Sequence, residues 1–243
     1  FRYFEYPESL NKAADYIYKQ FKTATNRVVR QKFRVERDGF KNHEYQNIIA
    51  SYGPKTGERI VIGAHYDACG EQPAADDNAS GVAAIIELGR ILEKKQPKLK
   101  YRIDLVAYTL EEPPFFRTKF MGSAVHADSL YKNKVKVKMM ISVDMIGYFN
   151  PKGKIGDFFP EFIKQEDVAP GNTTTLIGKI EQSNSTNLMS KIMMEHSEIK
   201  VLALNLPPNT KGMDYSDHLN YWNRNYPAVM ISNFPCCHNA AYH

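Results

Sequence analysis

The chain of 243 residues has little cysteine, a single tryptophan and no long apolar run. Its three cysteines, Cys69, Cys236 and Cys237, are too few and too unevenly spaced for a disulfide scaffold, although Cys69 could pair with one of the other two. The longest uninterrupted apolar stretch covers residues 82–86, whereas a membrane-spanning helix needs roughly 20 such residues. We therefore expect neither a disulfide-rich miniprotein nor a membrane-spanning helix.

The chain also lacks a strong charge of one sign, because its formal net charge is only +5. The densest basic stretch, residues 132–138, alternates lysine with valine or asparagine. That alternation is typical of the solvated face of a strand, and it does not favour a phosphate-binding surface. We therefore predict no nucleic-acid partner.

The sequence alternates between segments with the apolar spacing of helices and segments with the apolar spacing of strands. Apolar spacing predicts helices over residues 7–22, 80–94, 122–131 and 184–196. Strands are predicted over residues 27–37, 45–52, 59–64, 102–109, 138–145, 174–180 and 228–232. Strands that alternate with helices of this length indicate a mixed, mostly parallel sheet covered on both faces, which is a three-layer α/β/α sandwich. No linker or internal repeat divides the chain, so we expect one domain over residues 1–243.

Polar clusters follow the predicted strands at the edge where ligands of such sheets bind. They are His65-Tyr66-Asp67, Asp76-Asp77-Asn78, Glu111-Glu112 and Asp144. Each cluster alone also fits a turn, a helix cap or a solvated loop. Asp144 is harder to explain in this way, because it lies among apolar residues and an unpaired acid is costly to bury. Carboxylate and imidazole ligands without cysteine suit a hydrolytic site for Zn²⁺, Mn²⁺ or Co²⁺.

These clusters, together with Ser216-Asp217-His218 and the closing Tyr242-His243, resemble the M28 family of metallopeptidases in content and order. The resemblance covers residues 65–243 and implies a phosphorylase/hydrolase-like fold of the zinc exopeptidase type. It also implies a two-zinc aminopeptidase that hydrolyses the N-terminal bond of peptides with a free N-terminus. A closing helix is expected to follow residue 243, and a removed signal segment would make the protein secreted or periplasmic.

The resemblance also assigns two Zn²⁺ ions per chain to named residues. One ion would be held by His65 and Asp144. The other would be held by Glu112 and His243, and Asp77 would bridge the two. A carboxylate shared by two cations lowers their mutual repulsion, which is the reason for a bridging acid.

Two further acids and one peptide bond receive roles from the same resemblance. Asp67 would accept a hydrogen bond from His65 and fix its tautomer. Glu111 would be the general base for water activated by the two zinc ions. The peptide bond between Asp77 and Asn78 is expected to be cis.

His218 competes with His243 for the last ligand position. The family pattern places the ligand in the segment nearer the C-terminus, which favours His243. His218 is then expected to position the substrate or to support the structure.

The substrate-binding side chains are less well defined. Relatives with a tyrosine just before the Ser-Asp-His motif use its hydroxyl to stabilise the oxyanion, but the matching position here is Met213. Tyr215 lies two residues further on and is the candidate replacement. Met145, Phe115 and Phe116 are candidates for a specificity pocket, with ordinary core packing as the alternative.

Two other functions remain as alternatives. A glutaminyl cyclase would use one zinc ion on the same fold, but such enzymes depart from the intact Asp-Asn-Ala-Ser-Gly sequence found at residues 77–81. A non-catalytic ectodomain would lack ligands or the base, whereas all of them are present here. The sequence does not predict the oligomeric state or the side-chain preference.

Overall fold

The computed structural model describes residues 1–36, 43–149 and 173–233. The helices in these ranges are α1 Pro7–Ala24, α2 Gly81–Lys95, α3 Gly122–Lys132, α4 Ser183–His196 and α5 His218–Trp222. The strands are β1 Val28–Arg34, β2 Glu44–Tyr52, β3 Arg59–His65, β4 Arg102–Tyr108, β5 Val137–Val143, β6 Thr173–Lys179, β7 Lys200–Leu206 and β8 Ala228–Ser232. Within the described part of the chain, no helix is both long enough and apolar enough to cross a membrane.

The predicted helices and strands are confirmed, with ends shifted by a few residues, but two elements were not predicted. Strand β7 has a leucine-rich sequence that its periodicity does not separate from a helix. Helix α5 has only five residues, which is too short for a periodic signal.

One expectation was wrong: residues 132–138 do not form a single strand. The chain instead turns at Lys134, where φ is 52°, before β5 begins, although the four lysines of this stretch are exposed.

The eight strands form one sheet in the order β1-β2-β4-β3-β5-β8-β6-β7. Pairs β1–β2, β2–β4 and β6–β8 are antiparallel. The central strands β4, β3, β5 and β8 run parallel to one another, as do β6 and β7. The prediction of a mixed, mostly parallel sheet is therefore confirmed.

Helices cover both faces of the sheet. One core cluster joins the buried sides of α1 and α2 to β2 and β4, with Phe21 and Leu105 fully buried in it. A second cluster joins α3 and α5 to the opposite face, around Tyr108 and Tyr221. Helix α4 packs on β6 and β7, where the Thr186 hydroxyl bonds to the Asn205 side chain over 2.7 Å. This arrangement is the predicted three-layer sandwich.

The register of the central strands brings their carboxyl ends to one edge. His65 at the end of β3 is level with Tyr108 at the end of β4. On the other side of β3, Gly63 pairs with Ser142, so β5 ends at the same height. The residues that follow these strands must therefore meet, as expected for the ligand-binding edge of an α/β sheet.

Candidate metal centre

The imidazole of His65 lies at the middle of the acidic cluster and is only 1% exposed. Its Nε2 atom is 3.0 Å from Oδ1 of Asp77, 3.6 Å from Oδ1 of Asp144 and 3.9 Å from Oε2 of Glu111. Three carboxylates from three separate loops therefore surround one ring nitrogen. The sheet register brings together residues that are up to 79 positions apart in the chain.

A cation could be held by His65, Asp77 and Glu112, whose donor atoms all lie within 4.8 Å of one another. Nitrogen and oxygen donors from His, Asp and Glu are the usual set for a catalytic zinc site. The fifth predicted ligand, His243, lies outside the described residues, as do Cys236 and Cys237. The assignment of His243 stays a prediction.

Asp77 is presented by an irregular turn at Ala75–Ser80, in which Asp77 and Asn78 have non-helical backbone angles. The peptide bond between these two residues is cis, as the sequence resemblance implied. The Asn78 amide donates to the carbonyl oxygen of Val143 over 2.8 Å. Its Oδ1 accepts from the backbone amides of Gly81 over 3.0 Å and Met145 over 3.3 Å. One side chain thereby joins the Asp77 turn to the end of β5.

Asp144 follows β5 directly, and its carboxylate is held at one oxygen. The hydroxyl of Ser216 donates to Oδ2 over 2.5 Å, and the Ser142 hydroxyl lies 2.9 Å from the Ser216 oxygen. The other oxygen, Oδ1, is buried without a hydrogen-bond partner among the described residues, and it faces His65. An oriented carboxylate with one unsatisfied buried oxygen fits a metal ligand.

Asp67 connects two parts of the site. Its Oδ2 accepts a hydrogen bond from the backbone amide of Glu112 over 3.0 Å. Its Oδ1 is 3.6 Å from Nδ1 of His65, which is longer than a hydrogen bond. Asp67 therefore holds the loop after β4 against the end of β3, and it lies beside the ring of His65.

Burial and like charges dominate the electrostatics of the cluster. Burial raises the pKa of Glu111 well above its ordinary value; His65 counteracts this and Glu112 adds to it. Burial also raises the pKa of Asp144, and it raises that of Asp217 to about 7. Burial lowers the pKa of His65, but the carboxylates of Asp144 and Glu111 outweigh burial and hold it well above the ordinary value. So dense a group of buried acids needs compensating positive charge, and a divalent cation would supply it.

The predicted substrate-binding residues are found in different settings. Met145 is 8% exposed, and its φ is 50°. Tyr215 is half-buried, and its ring makes a perpendicular contact with Phe116 at 6.3 Å between centroids. Phe115 is fully buried against Phe4, so ordinary core packing, the alternative to a specificity pocket, accounts for it.

His218 has partners outside the acidic cluster. Its Nε2 atom is 2.7 Å from the carbonyl oxygen of Met213, and its ring packs edge-on against Trp222 at 4.5 Å. Burial lowers the pKa of His218 to about 4, although the Met213 carbonyl raises it. In the described structure His218 is not one of the residues whose donor atoms converge on His65.

Sequence reasoning did not identify two supporting residues. Ser216 belongs to the Ser-Asp-His motif, so its position was noted but its bond to Asp144 was not. Asn47 in β2 accepts from the Thr109 amide over 3.2 Å and donates to the Gly122 carbonyl over 2.8 Å, which fixes the end of β4 before Glu111. No pattern in the sequence marks such a long-range contact.

Comparison with known proteins places these motifs in a family. The model of peptidase family M28 matches residues 47–243. The uncharacterized protein YfbL of Escherichia coli is 37% identical over 252 residues, which covers 97% of this chain and 72% of YfbL. Leucine aminopeptidase 1 of Paracoccidioides brasiliensis is 25% identical over 232 residues, covering 90% of this chain and 53% of that protein.

Solved structures show the same fold at low identity. The LapA aminopeptidase of Legionella pneumophila superposes with a TM-score of 0.69 at 20% identity, over 96% of this chain and 57% of LapA. A glutaminyl cyclase of Porphyromonas gingivalis superposes with a TM-score of 0.64 at 20% identity, over 91% of this chain and 73% of the cyclase. The chain spans about half the length of leucine aminopeptidase 1 and of LapA. The extent of the family match and the identity to YfbL show that the chain belongs to peptidase family M28.

Proposed function

We propose that this chain is a zinc-dependent aminopeptidase that removes N-terminal residues from peptides. The observation that carries the proposal is the convergence of His65, Asp77 and Glu112 within 4.8 Å, with Asp144 beside them. Leucine aminopeptidase 1 supports the same activity by its sequence similarity. Residues 1–243 would form one catalytic domain of a secreted or periplasmic enzyme.

We propose two zinc ions per chain, with Asp77 between them. His65 and Asp144 would hold one ion, and Glu112 and His243 the other. Zinc in such a site lowers the pKa of bound water and polarises a carbonyl group.

Glu111 is the proposed general base. Its side chain lies at the cluster, with Oε2 at 3.9 Å from Nε2 of His65, but it is not among the three residues whose donor atoms converge. It would accept a proton from the attacking water and deliver it to the nitrogen of the leaving amine. Asp67 would orient the site, because it holds the backbone of Glu112 and lies beside His65.

The remaining side chains would act on the substrate. The excess of carboxylates favours a substrate whose end carries a positive charge, and a free α-amine meets that requirement. Tyr215 is the proposed donor to the oxyanion that forms at the scissile carbonyl. Met145 and His218 are proposed to position the substrate.

A glutaminyl cyclase is the second candidate, since an enzyme of that name shares the fold. Cyclisation of an N-terminal glutamine needs a single zinc ion. The intact Asp-Asn-Ala-Ser-Gly sequence at residues 77–81, which presents Asp77 next to His65 and Glu112, favours the peptidase.

Metal analysis and two assays on the same preparation test the proposal. We expect two equivalents of zinc per chain, hydrolysis of leucine 4-nitroanilide, and no hydrolysis of its N-acetylated form. We expect no ammonia release from a glutaminyl peptide. One equivalent of zinc with release of ammonia would establish the cyclase instead. Cleavage of the acetylated substrate would exclude a requirement for the free amine.

A further inference from the structure

Arg2, near the start of the chain, makes three hydrogen bonds to the loop between His65 and Asp77. Its Nε atom donates to the carbonyl oxygen of Tyr66 over 2.9 Å. The two terminal nitrogens donate to the carbonyl oxygens of Pro73 over 3.0 Å and Ala74 over 2.8 Å. The planar guanidinium group thus joins the first residue of this loop to two residues near its end.

The backbone of Arg2 contributes a fourth bond to the same loop. Its carbonyl oxygen accepts from the amide of Ala68 over 2.9 Å. Ala74 has φ of 47°, a left-handed conformation that an alanine adopts only when its surroundings impose it. The bond from Arg2 to the Ala74 carbonyl is one such constraint, and it acts three residues before Asp77.

The positive charge of Arg2 also lies close to the acidic cluster. Burial lowers the pKa of Arg2, while the carboxylates of Asp67 and Asp77 raise it. Arg2 therefore interacts electrostatically with two acids of the site, although it donates its hydrogen bonds to carbonyl groups.

A second contact fixes the segment that carries Arg2. The ring of Phe4 packs edge-on against Phe115, three residues beyond Glu112, at 5.2 Å between centroids. The Tyr45 hydroxyl donates to the Phe4 carbonyl over 3.3 Å. The N-terminal segment therefore contacts two of the three loops that carry candidate ligands, those after β3 and β4. It lies outside residues 47–243, which match the family model.

We propose that Arg2 is a positioning residue of the metal centre, which holds the loop of residues 66–74 so that Asp67 and Asp77 meet His65. The inference rests on the proposed function for its zinc ligand and its substrate. A lysine could not replace Arg2 fully, because its single nitrogen cannot reach Tyr66 and Ala74 with the geometry of a guanidinium fork.

The test compares Arg2→Ala and Arg2→Lys with Arg27→Ala in the full chain. Arg27 is a matched control, since its guanidinium also donates to backbone carbonyl groups, those of Gly53 and Pro54, in a loop before β3. Three quantities are measured: amide hydrogen exchange of residues 66–80, zinc affinity by competition with a chelator, and the separate values of kcat and KM.

For Arg2→Ala we expect faster exchange in residues 66–80 and zinc affinity lower by about 10–100-fold, the usual effect of losing a residue that supports a metal ligand. Arg2→Lys should recover part of both losses, and Arg27→Ala should match the parent. Unchanged exchange in residues 66–80, or zinc affinity within about twofold of the parent, would overturn the inference. If the parent binds no zinc, the proposed function fails, and the exchange data still decide whether Arg2 tethers the loop.

Discussion

The hydroxyl of Ser216 donates to Oδ2 of Asp144 over 2.5 Å and leaves Oδ1 turned toward His65. This bond joins the loop before α5 to the end of β5, so a residue 72 positions away sets the rotation of a candidate ligand. A carboxylate that is held at one oxygen loses little rotational freedom when its other oxygen binds a cation.

Ser216→Ala should therefore lower zinc affinity by about 10–100-fold, with a parallel loss in kcat/KM. Ser190→Ala is the control, because Ser190 is also a buried hydroxyl, but it lies in α4 and donates to the backbone carbonyl of Val201. Chelator competition on both variants measures the difference. Equal zinc affinity in the two variants would remove Ser216 from this role.

Glu111→Gln and Glu112→Gln should separate proton transfer from metal binding in adjacent residues. Loss of a general base typically lowers kcat by about 10²–10⁴-fold, so Glu111→Gln should be nearly inactive with zinc content unchanged. Glu112→Gln should lose zinc, because an amide is a poor ligand in place of a carboxylate. Atomic absorption and steady-state kinetics check both variants. Activity of Glu111→Gln within tenfold of the parent would contradict the assignment.

His243→Ala should lose one equivalent of zinc and most activity, whereas His218→Ala should retain both equivalents. The Nε2 atom of His218 is occupied by the Met213 carbonyl, and the ring packs on Trp222. Its removal should instead lower the free energy of unfolding by about 1–3 kcal/mol. Zinc stoichiometry and urea denaturation distinguish the two outcomes. Loss of zinc from His218→Ala alone would exchange the two assignments.

Gly81→Ala should disturb the turn that presents Asp77. A Cβ atom at this position would lie 2.4 Å from Oδ1 of Asn78 and 2.5 Å from the Val143 carbonyl oxygen. Relief of such contacts costs about 1–3 kcal/mol and should lower zinc affinity as well. Gly57→Ala is the control: φ there is 100°, but no atom lies within 4 Å of the added Cβ. It should lose stability, measured by urea denaturation, and keep the zinc affinity of the parent.

The contribution of His126 to the stability of the protein should fall in mild acid. Its Nδ1 atom is 2.6 Å from the Tyr221 hydroxyl, and burial lowers its pKa from 6.5 to about 4, although Asp104 raises it. Between these values the unfolded chain binds a proton that the folded chain does not. The contribution of His126 to the free energy of unfolding therefore decreases by about 3 kcal/mol in total as pH falls from about 6.5 to about 4.

Denaturation of the parent and of His126→Gln across this pH range measures that contribution. Glutamine can still bond to the Tyr221 hydroxyl but does not titrate, so the difference in free energy of unfolding between parent and variant should change by about 3 kcal/mol across the range. His196→Gln, at an exposed position in α4, should follow the parent. Parallel profiles for the parent and His126→Gln would show that His126 does not contribute.

The sequence predicted the sandwich and the meeting of His65, Glu111 and Asp144, because both follow from strands that end at one edge of a parallel sheet. It did not predict the bonds of Ser216, Asn47 and Arg2. These bonds join residues between 62 and 75 positions apart, and they depend on the final packing of loops rather than on any local period. Strand β7 was missed for a different reason: its leucines favour helix locally, and pairing with β6 overrides that preference.

The fully buried side chain of Asn78 bonds to three backbone groups. Its amide nitrogen donates to the Val143 carbonyl, and its amide oxygen accepts from the Gly81 and Met145 amides. Aspartate would lack the donor for Val143, serine would offer one oxygen where two atoms are needed, and glutamine would carry the amide one methylene group too far. Of these four side chains, only asparagine bonds to all three backbone groups. Replacement of Asn78 would therefore release the turn that presents Asp77 from the end of β5.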